Sequence, residues 1–337
     1  YILGTRITGA ASITVRSELN KDKTTAATAK LHANGGSGSV GLLNVRANIA
    51  VALADSESFA FVLGAPISGG ALVIASDASS IASAKIETAS FSASAASLGL
   101  NALYAYADGD FRAYAVTAGV AMNPASITVS NTHSAASDAD TTQSPVSAAF
   151  SVISAKINLA VAVTGVNAEA AILGSASGLV GDGILDQAYL DAFGLAGAGG
   201  TLSTANASIL ASGIATATTT VALTALEMNY VSVGVNVLVS KLTATQNAYI
   251  SGASVSGGSV AVQSTRNAGE TTGAQATLSG NKITVNLYGG NANTVYALAD
   301  AASIAFIEDS AVDLSGALVV LSSGSSIAVA GVTQGSG

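Results

Sequence analysis

Residues 248–264 read AYISGASVSGGSVAVQS, and the interpretation of this stretch decides the fold. A short apolar strand, Ala248 to Ile250, leads through small residues to Val255. A Gly257-Gly258 pair follows, and then Ser259 to Ser264 alternates polar with apolar. Versions recur as AFVLGAPISGGALVIAS over 60–76 and as AFIEDSAVDLSGALVVLSS over 305–323. Internal repetition constrains architecture more strongly than any single motif. Gly257-Gly258 therefore reads as a corner joining two faces of a repeated unit.

The run after each corner serves as a phase marker. It starts at Ala11, Gly70, Ala125, Gly200, Gly258 and Gly316, giving spacings of 59, 55, 75, 58 and 58. A second block sets Asn between apolar residues, at Asn48, Asn101, Asn158, Asn236 and Asn286. The third block is the opening strand, carrying Phe61, Tyr114, Ala171, Tyr249 and Phe306 at its centre. Three blocks in constant order define units at 11–69, 70–124, 125–181, 200–257, 258–315 and 316–337.

Within the blocks the period is two. Val260 and Val262 alternate with Ser259, Ala261 and Gln263, and Ile283, Val285 and Leu287 alternate with Lys282, Thr284 and Asn286. That is a strand pattern, because successive side chains leave opposite faces. Ala favours helix, but Val, Ile and Thr fill the patterned positions, so pairing between units overrides it. The exception is 182–199, DGILDQAYLDAFGLAGAG, which supplies the excess spacing. Ile184, Leu185, Ala188, Tyr189, Leu190 and Phe193 fall at helical intervals, with Asp182 as N-cap and Gly194 as stop. It reads as a short amphipathic helix inserted at a corner and lying on the surface.

Composition narrows the classes. Half of the 337 residues are apolar and only 9% are charged, against about 25% in an ordinary globular surface. Ser, Thr, Asn and Ala must face solvent instead. A net charge of −8 opposes nucleic-acid binding, which needs clustered cations. The dense charges of Glu18 to Lys23 read as a solvated loop. Without Cys there is no disulfide framework and no thiolate metal site. The start at Tyr1, without Met or a leader, reads as a mature product or a fragment. No stretch reads as a transmembrane helix, since 153–173 is interrupted by Lys156, Asn158, Asn167 and Glu169.

Alternating strands, Gly or Asn corners and a long repeat specify an all-β chain, a single elongated parallel β-solenoid with one helical insertion. At roughly 3.3 Å per residue a 58-residue unit traces about 190 Å. Several coils of about 20–30 residues per unit are therefore expected, stacked into a rod roughly 60–80 Å long. The stretch 248–264, strands such as VNVLVS (235–240) and the period together resemble the repeat region of large bacterial filamentous, leukotoxin-like surface adhesins. The resemblance covers most of the chain except 182–199, and the weak Gly200 marker departs from it. It implies export to the cell surface, where the solenoid acts as a stalk or contact surface.

Catalytic groups are sparse. His32 and His133 lie in Ser- and Asn-rich surroundings and read as exposed structural residues. Gly35 to Gly38 reads as a flexible loop lacking the Lys-Ser/Thr of a phosphate-binding loop. Acid pairs occur at Asp108/Asp110, Asp138/Asp140 and Glu308/Asp309, with Asp108-Gly109-Asp110-Phe111-Arg112 the best local candidate for polysaccharide chemistry. The repeated Asn residues suit an amide ladder, and the repeated aromatics suit core or corner stacks.

No catalytic, cofactor-binding or metal residue is assigned. The expectation is a secreted, non-catalytic β-solenoid segment of a bacterial adhesin or extracellular filament. Unpaired strand edges at its termini favour end-to-end self-association, and host-surface or glycan contact is the expected external partner. The alternative is a polysaccharide-binding or polysaccharide-cleaving β-helix. A sandwich-type fibre subunit would instead show antiparallel strands.

Overall fold

The computed structural model describes residues 1–23, 26–143, 147–181, 183–267 and 273–335. The strands run β1 (Ile2–Leu3), β2 (Ile7–Leu19), β3 (Ala27–Leu63), β4 (Ile67–Val116), β5 (Ala121–Gln143) and β6 (Ser147–Leu173). Helices α1 (Ser177–Gly181) and α2 (Gln187–Ala192) interrupt the series. It resumes with β7 (Thr201–Ser251), β8 (Ser254–Arg266), β9 (Ala274–Glu308), β10 (Ala311–Leu314), β11 (Leu318–Gly324) and β12 (Ala328–Gly335). All of these strand pairings are parallel. The chain is a parallel β-solenoid, as the alternation predicts.

Each repeat unit makes one coil, not several. Asn48, Asn101, Asn158, Asn236 and Asn293 are successive rung partners, separated by 53, 57, 78 and 57 residues. The long perimeter is accommodated by flattening. Ser76 Oγ donates to the Ser58 carbonyl while Ser80 Oγ donates to that of Ala54, so the two faces of a coil run antiparallel across the core. The first face comprises 43–63, 96–116, 153–173, 231–251 and 288–308. The second is built from β2, the start of β4, β5, the start of β7, and β8 with β10 and β11. At a 4.8 Å rise, five to six rungs stand only about 25–30 Å high. The result is a slab rather than a long rod.

Rung register also resolves the repeat units. The partners of Ile13 are Leu72, Ile127, Ala207, Val260 and Leu318 in turn. The fourth marker thus begins at Ala205 rather than Gly200, whose φ of +109° closes the insertion. Asn286 partners Asn229, and Asn293 is the fifth ladder residue. The third block holds register throughout, from Phe61 to Tyr114, Ala171, Tyr249 and Phe306.

The turn between faces lies earlier in 248–264 than the glycine pair. Gly252, at φ +65°, makes it, and its N–H donates to the Glu308 carbonyl at 3.3 Å. Gly257-Gly258 lies inside β8 as a kink: a Cβ on Gly258 would come within 1.9 Å of the Ala205 oxygen. Only glycine lets the adjacent rungs close up there. Gly35 to Gly38, expected as a loop, is strand with a register shift between Gly35 and Ser39.

Two apolar clusters fill the space between faces. Near the Gly252 corner, Val62, Ile74, Ile127, Ile172, Ile209, Ile250 and Val262 pack together. Further along, small residues such as Ala82, Ala105, Ala139, Ala162, Ala217 and Ala276 bring the faces close. A polar belt separates the clusters. In it Asn131 Nδ2 donates to the Phe111 carbonyl at 2.6 Å, and Gln246 Nε2 to that of Ala211 at 2.6 Å.

The insertion covers the outer side of the first face. Leu179, Leu190 and Leu195 pack on Phe61, Leu63, Tyr114, Val116 and Leu173. Asp182 lies outside the described residues; the cap of α2 is Asp186, whose carboxylate accepts from the Ala188 N–H at 2.9 Å. Gly194, at φ +66°, follows the helix as its stop.

Candidate interaction surface

The outer side of the first face carries three stripes along the solenoid axis. Alternation points residues 45, 47 and so on to 63 outward, together with their partners on later rungs. The stripe nearest the corner is aromatic, and the insertion buries its Phe61 and Tyr114. Tyr1 stacks on Phe61 at 5.3 Å between ring centroids, and Tyr249 on Phe306 at 4.8 Å. These aromatics form the expected stack on the outside of the sheet; the insertion covers Phe61 and Tyr114, while Tyr1 is exposed.

The middle stripe is acidic. Asp55 partners Asp108, and Glu57 partners Asp110. Arg112, buried beside them, donates to Asp110 through Nε at 2.6 Å and Nη2 at 2.8 Å. Asp108 accepts from Tyr106 Oη at 2.9 Å and from the Gly109 N–H at 3.0 Å. The Asp108 hydrogen bond, with burial, pushes the Tyr106 phenol up to about 12. Glu169 accepts from Tyr114 and, at 3.1 Å, from Tyr249. Burial and the Glu169 charge push the Tyr114 phenol well above its ordinary value. The sequence candidates around Asp108 are thus brought together with further acids, yet each is engaged by a neighbour.

The third stripe is apolar and uncovered. Ile49 is 62% exposed, Leu53 60% and Val233 52%. Leu159 partners Val237, and Val161 partners Val239, on the same side. At positions 44–48 and their partners the inward residues are polar, as with Ser154, Asn158, Ser232 and Asn236, whereas from 50 onward Ala50, Leu103, Ala160 and Leu238 fill the core. At this end the alternation carries apolar residues outward. Val285 and Leu287 are exposed.

The remaining acid pairs are dispersed. On the second face Lys85 lies 3.2 Å from Glu87 and 3.6 Å from Asp140, and the Glu87 hydrogen bond raises its pKa above the ordinary value. Burial and the neighbouring Asp140 raise that of Asp138. Glu308 accepts from Ser251 Oγ at 3.1 Å, and Asp309 sits at φ +46° in the corner. The Glu18 cluster is exposed, with Arg16 and Lys21 each 3.0 Å from its carboxylate. A groove of about 430 Å³ on the second face is lined in part by Lys21, Lys23, Asp77, Thr132 and Thr265. Among the described residues no three His, Cys, Asp or Glu groups are placed to hold a metal. No helix there is long and apolar enough to cross a membrane.

His133 is buried, contrary to the sequence expectation, whereas the side chain of His32 lies outside the described residues. Its ring stacks on Phe111 at 5.9 Å, and Nδ1 lies 3.1 Å from Asn131 Oδ1. Burial, with the charge of Arg266, pushes its pKa down to about 4. Above pH 6.5 the imidazole is neutral in both states and carries no penalty. As pH falls from 6.5 towards 4 only the unfolded chain takes up the proton, so stability is lost across that window. Relative to His133→Asn, the wild type is expected to lose roughly 3 kcal/mol there. Denaturant titrations of both chains at pH 7, 5.5 and 4 check this, since the carboxylates they share cancel. The inward residues Asn131, His133, Gln246 and Arg266 were not legible as a group, because their partners lie on the opposite face.

Compared with family models, curated proteins and solved structures, the chain matches none.

Proposed function

We propose that this chain is a structural and adhesive segment of an exported bacterial surface protein, an adhesin or filament stalk, and that it performs no catalysis. The observation carrying the proposal is what repeats from rung to rung. The Asn ladder donates along one line at 2.7–2.8 Å, each amide serving the next. The repeated residues stack on their own copies and none is repeated as a site. The ionisable side chains follow the same logic, with Asp110 held by Arg112 and Glu169 by two tyrosines.

We also propose growth by stacking through the edge strands. Residues 283–308 of β9 and 27–61 of β3 each have a bonded neighbour on one side. Such edges template another strand, so end-to-end association extends the stalk, and host-surface or glycan contact occurs along its sides. Electron microscopy of the purified chain is expected to show fibres longer than one slab, and its attachment to host cells should resist point changes in the acidic stripe. Isolated slabs at every concentration would count against stacking, and absence of cell attachment against adhesion.

One observation favours a second reading, a polysaccharide-binding or polysaccharide-cleaving surface. Tyr104 and Tyr106 present parallel rings 6.3 Å apart, next to Asp108. Calorimetry with neutral and acidic oligosaccharides, together with product analysis, distinguishes the two readings. Saturable binding lost in Tyr104→Ala would favour glycan recognition, and release of shorter oligosaccharides would overturn the non-catalytic reading.

A further inference from the structure

At positions 44–48 and their partners the strands are amphipathic the wrong way round for an isolated solenoid, and from 49 to 53 they are apolar on both sides, with Ala50, Leu103, Ala160 and Leu238 inward. On β6 and β7, Ser154, Asn158, Ser232 and Asn236 are buried, while Ile157, Leu159 and Val233 face outward and are exposed. A shift of one residue would exchange the two sets, but the Asn ladder holds the present register. The same outward side shows how the chain treats such rows when it can reach them. The insertion folds over Phe61, Tyr114 and their neighbours and buries them. Among the described residues, nothing covers the rows from 45 to 53 in this way.

We infer that this apolar stripe is the interface for a second copy of the same chain, the two slabs packing face to face. Five rungs at 4.8 Å and eight to ten residues at 3.3 Å give a patch of about 24 by 30 Å, or roughly 700 Å². That matches the roughly 800 Å² per partner of a standard specific interface, and it exceeds the single apolar patch usual on a monomer. A flat sheet with a regular spacing is complementary to itself, and aligned face-to-face sheets are a stable packing.

Charge selects the occupant and its orientation. A membrane-surface site pairs apolar residues with cations. Here Asp55, Asp108 and Asp300 line the edge of the patch, Lys241 is the cation in its last row, and the chain carries −8. A two-fold axis parallel to the solenoid axis sets the acidic edge of one copy against the far edge of the other. A perpendicular axis in the sheet plane would set acid against acid. The first arrangement therefore holds, with parallel solenoids and antiparallel strands.

An isologous pair closes at two, whereas stacking through the ends is open and grows with concentration. Sedimentation of the full chain from about 1 to 50 μM, the range of ordinary interface affinities, should show a dimer that persists after end growth is diluted away. Leu159→Lys combined with Val237→Lys places charge in the middle of the patch, and Ile49→Lys does so at its end rung. Because these side chains point outward, circular dichroism and the melting profile should stay near wild type while the dimer dissociates at least tenfold more readily. A monomeric wild type, or a dimer unmoved in both folded variants, overturns the inference. Co-sedimentation of a monomeric wild type with phosphatidylcholine or phosphatidylglycerol vesicles would also overturn it, in favour of a lipid surface.

Discussion

Replacing Lys156 with Met is expected to destabilise the fold by about 3–5 kcal/mol at neutral pH, the usual cost of breaking a buried ion pair from one side. Glu227 is 1% exposed, and Lys156, on the neighbouring rung, donates to its carboxylate. The pair lies at the end of the coil where polar residues face inward. Without the ammonium, a carboxylate remains in a region with little water, and burial then favours its protonated form. Its folded pKa would rise above the unfolded value of about 4.3. The defect is therefore smallest below that value and grows as pH rises through the raised folded pKa. Denaturant melts of Lys156→Met at pH 4 and 7 check both the size and the sign. Adding Glu227→Leu should recover most of the loss, because an apolar pair of similar volume avoids both desolvation penalties. A single mutant with wild-type stability at both pH values would show that the pair contributes nothing.

How much of this was legible in the sequence depended on whether the decisive partner was local or distant. The aromatic block from Phe61 to Phe306 repeats in sequence because identical backbone positions stack, so its register could be read directly. The marker at Gly200 was misplaced because Gly199-Gly200 ends an insertion and imitates a corner pair. The true partner strand, Asn206 to Ile209, keeps its place through backbone pairing although its side chains depart from the pattern. Asn286, between Val285 and Leu287, fits the apolar-Asn-apolar pattern better than Asn293, between Ala292 and Thr294, and only the rung partner identifies Asn293. Alternation shows that the two sides of a strand differ, but it does not say which side is inside. Hence the sequence does not show that the apolar rows from 45 to 53 lie outside, with Asn48, Ala50 and Ala52 and their partners inside. His133 was read from its polar neighbours, whereas its burial is set by Phe111 across the core. The expectation of several coils per unit rests on a perimeter of about 190 Å, too long for one round coil. In a flat coil small inward residues instead allow two long faces to approach, as Ala105 and Ala139 do.

Replacing Asn158 with Leu should have an effect of similar size, about 2–6 kcal/mol, arising from the two neighbours it strands. Asn158 accepts from Asn101 Nδ2 at 2.8 Å and donates to Asn236 Oδ1 at 2.7 Å, at the middle of the five-residue ladder. Both bonds disappear together, and each buried group left unmatched costs about 1–3 kcal/mol. Leu is close in volume, so the loss reports polarity rather than a cavity. The same change at Asn48 removes one ladder bond at the first rung, where Asn48 donates to Asn101, and is expected to cost about half as much. A terminal loss equal to the central one would mean that the residues act singly. If the amides polarise one another along the line, the central loss exceeds twice the terminal one. Thermal melts of the two variants and of Asn158→Leu with Asn101→Leu and Asn236→Leu decide the matter. The triple variant shifts the unmatched groups to Asn48 and Asn293 on the end rungs, where Asn48 is half-buried and Asn293 exposed, so water can replace the lost partners and stability should recover relative to the single central change. The outward apolar rows add a further consequence. Once these inward positions are apolar, the Asn ladder no longer opposes a one-residue slip, and the strands can bury Ile157 and Leu159 instead. Protection of the outward rows from solvent, read by hydrogen exchange and by loss of the dimer, would then show that the ladder sets which face of the sheet is offered to a partner.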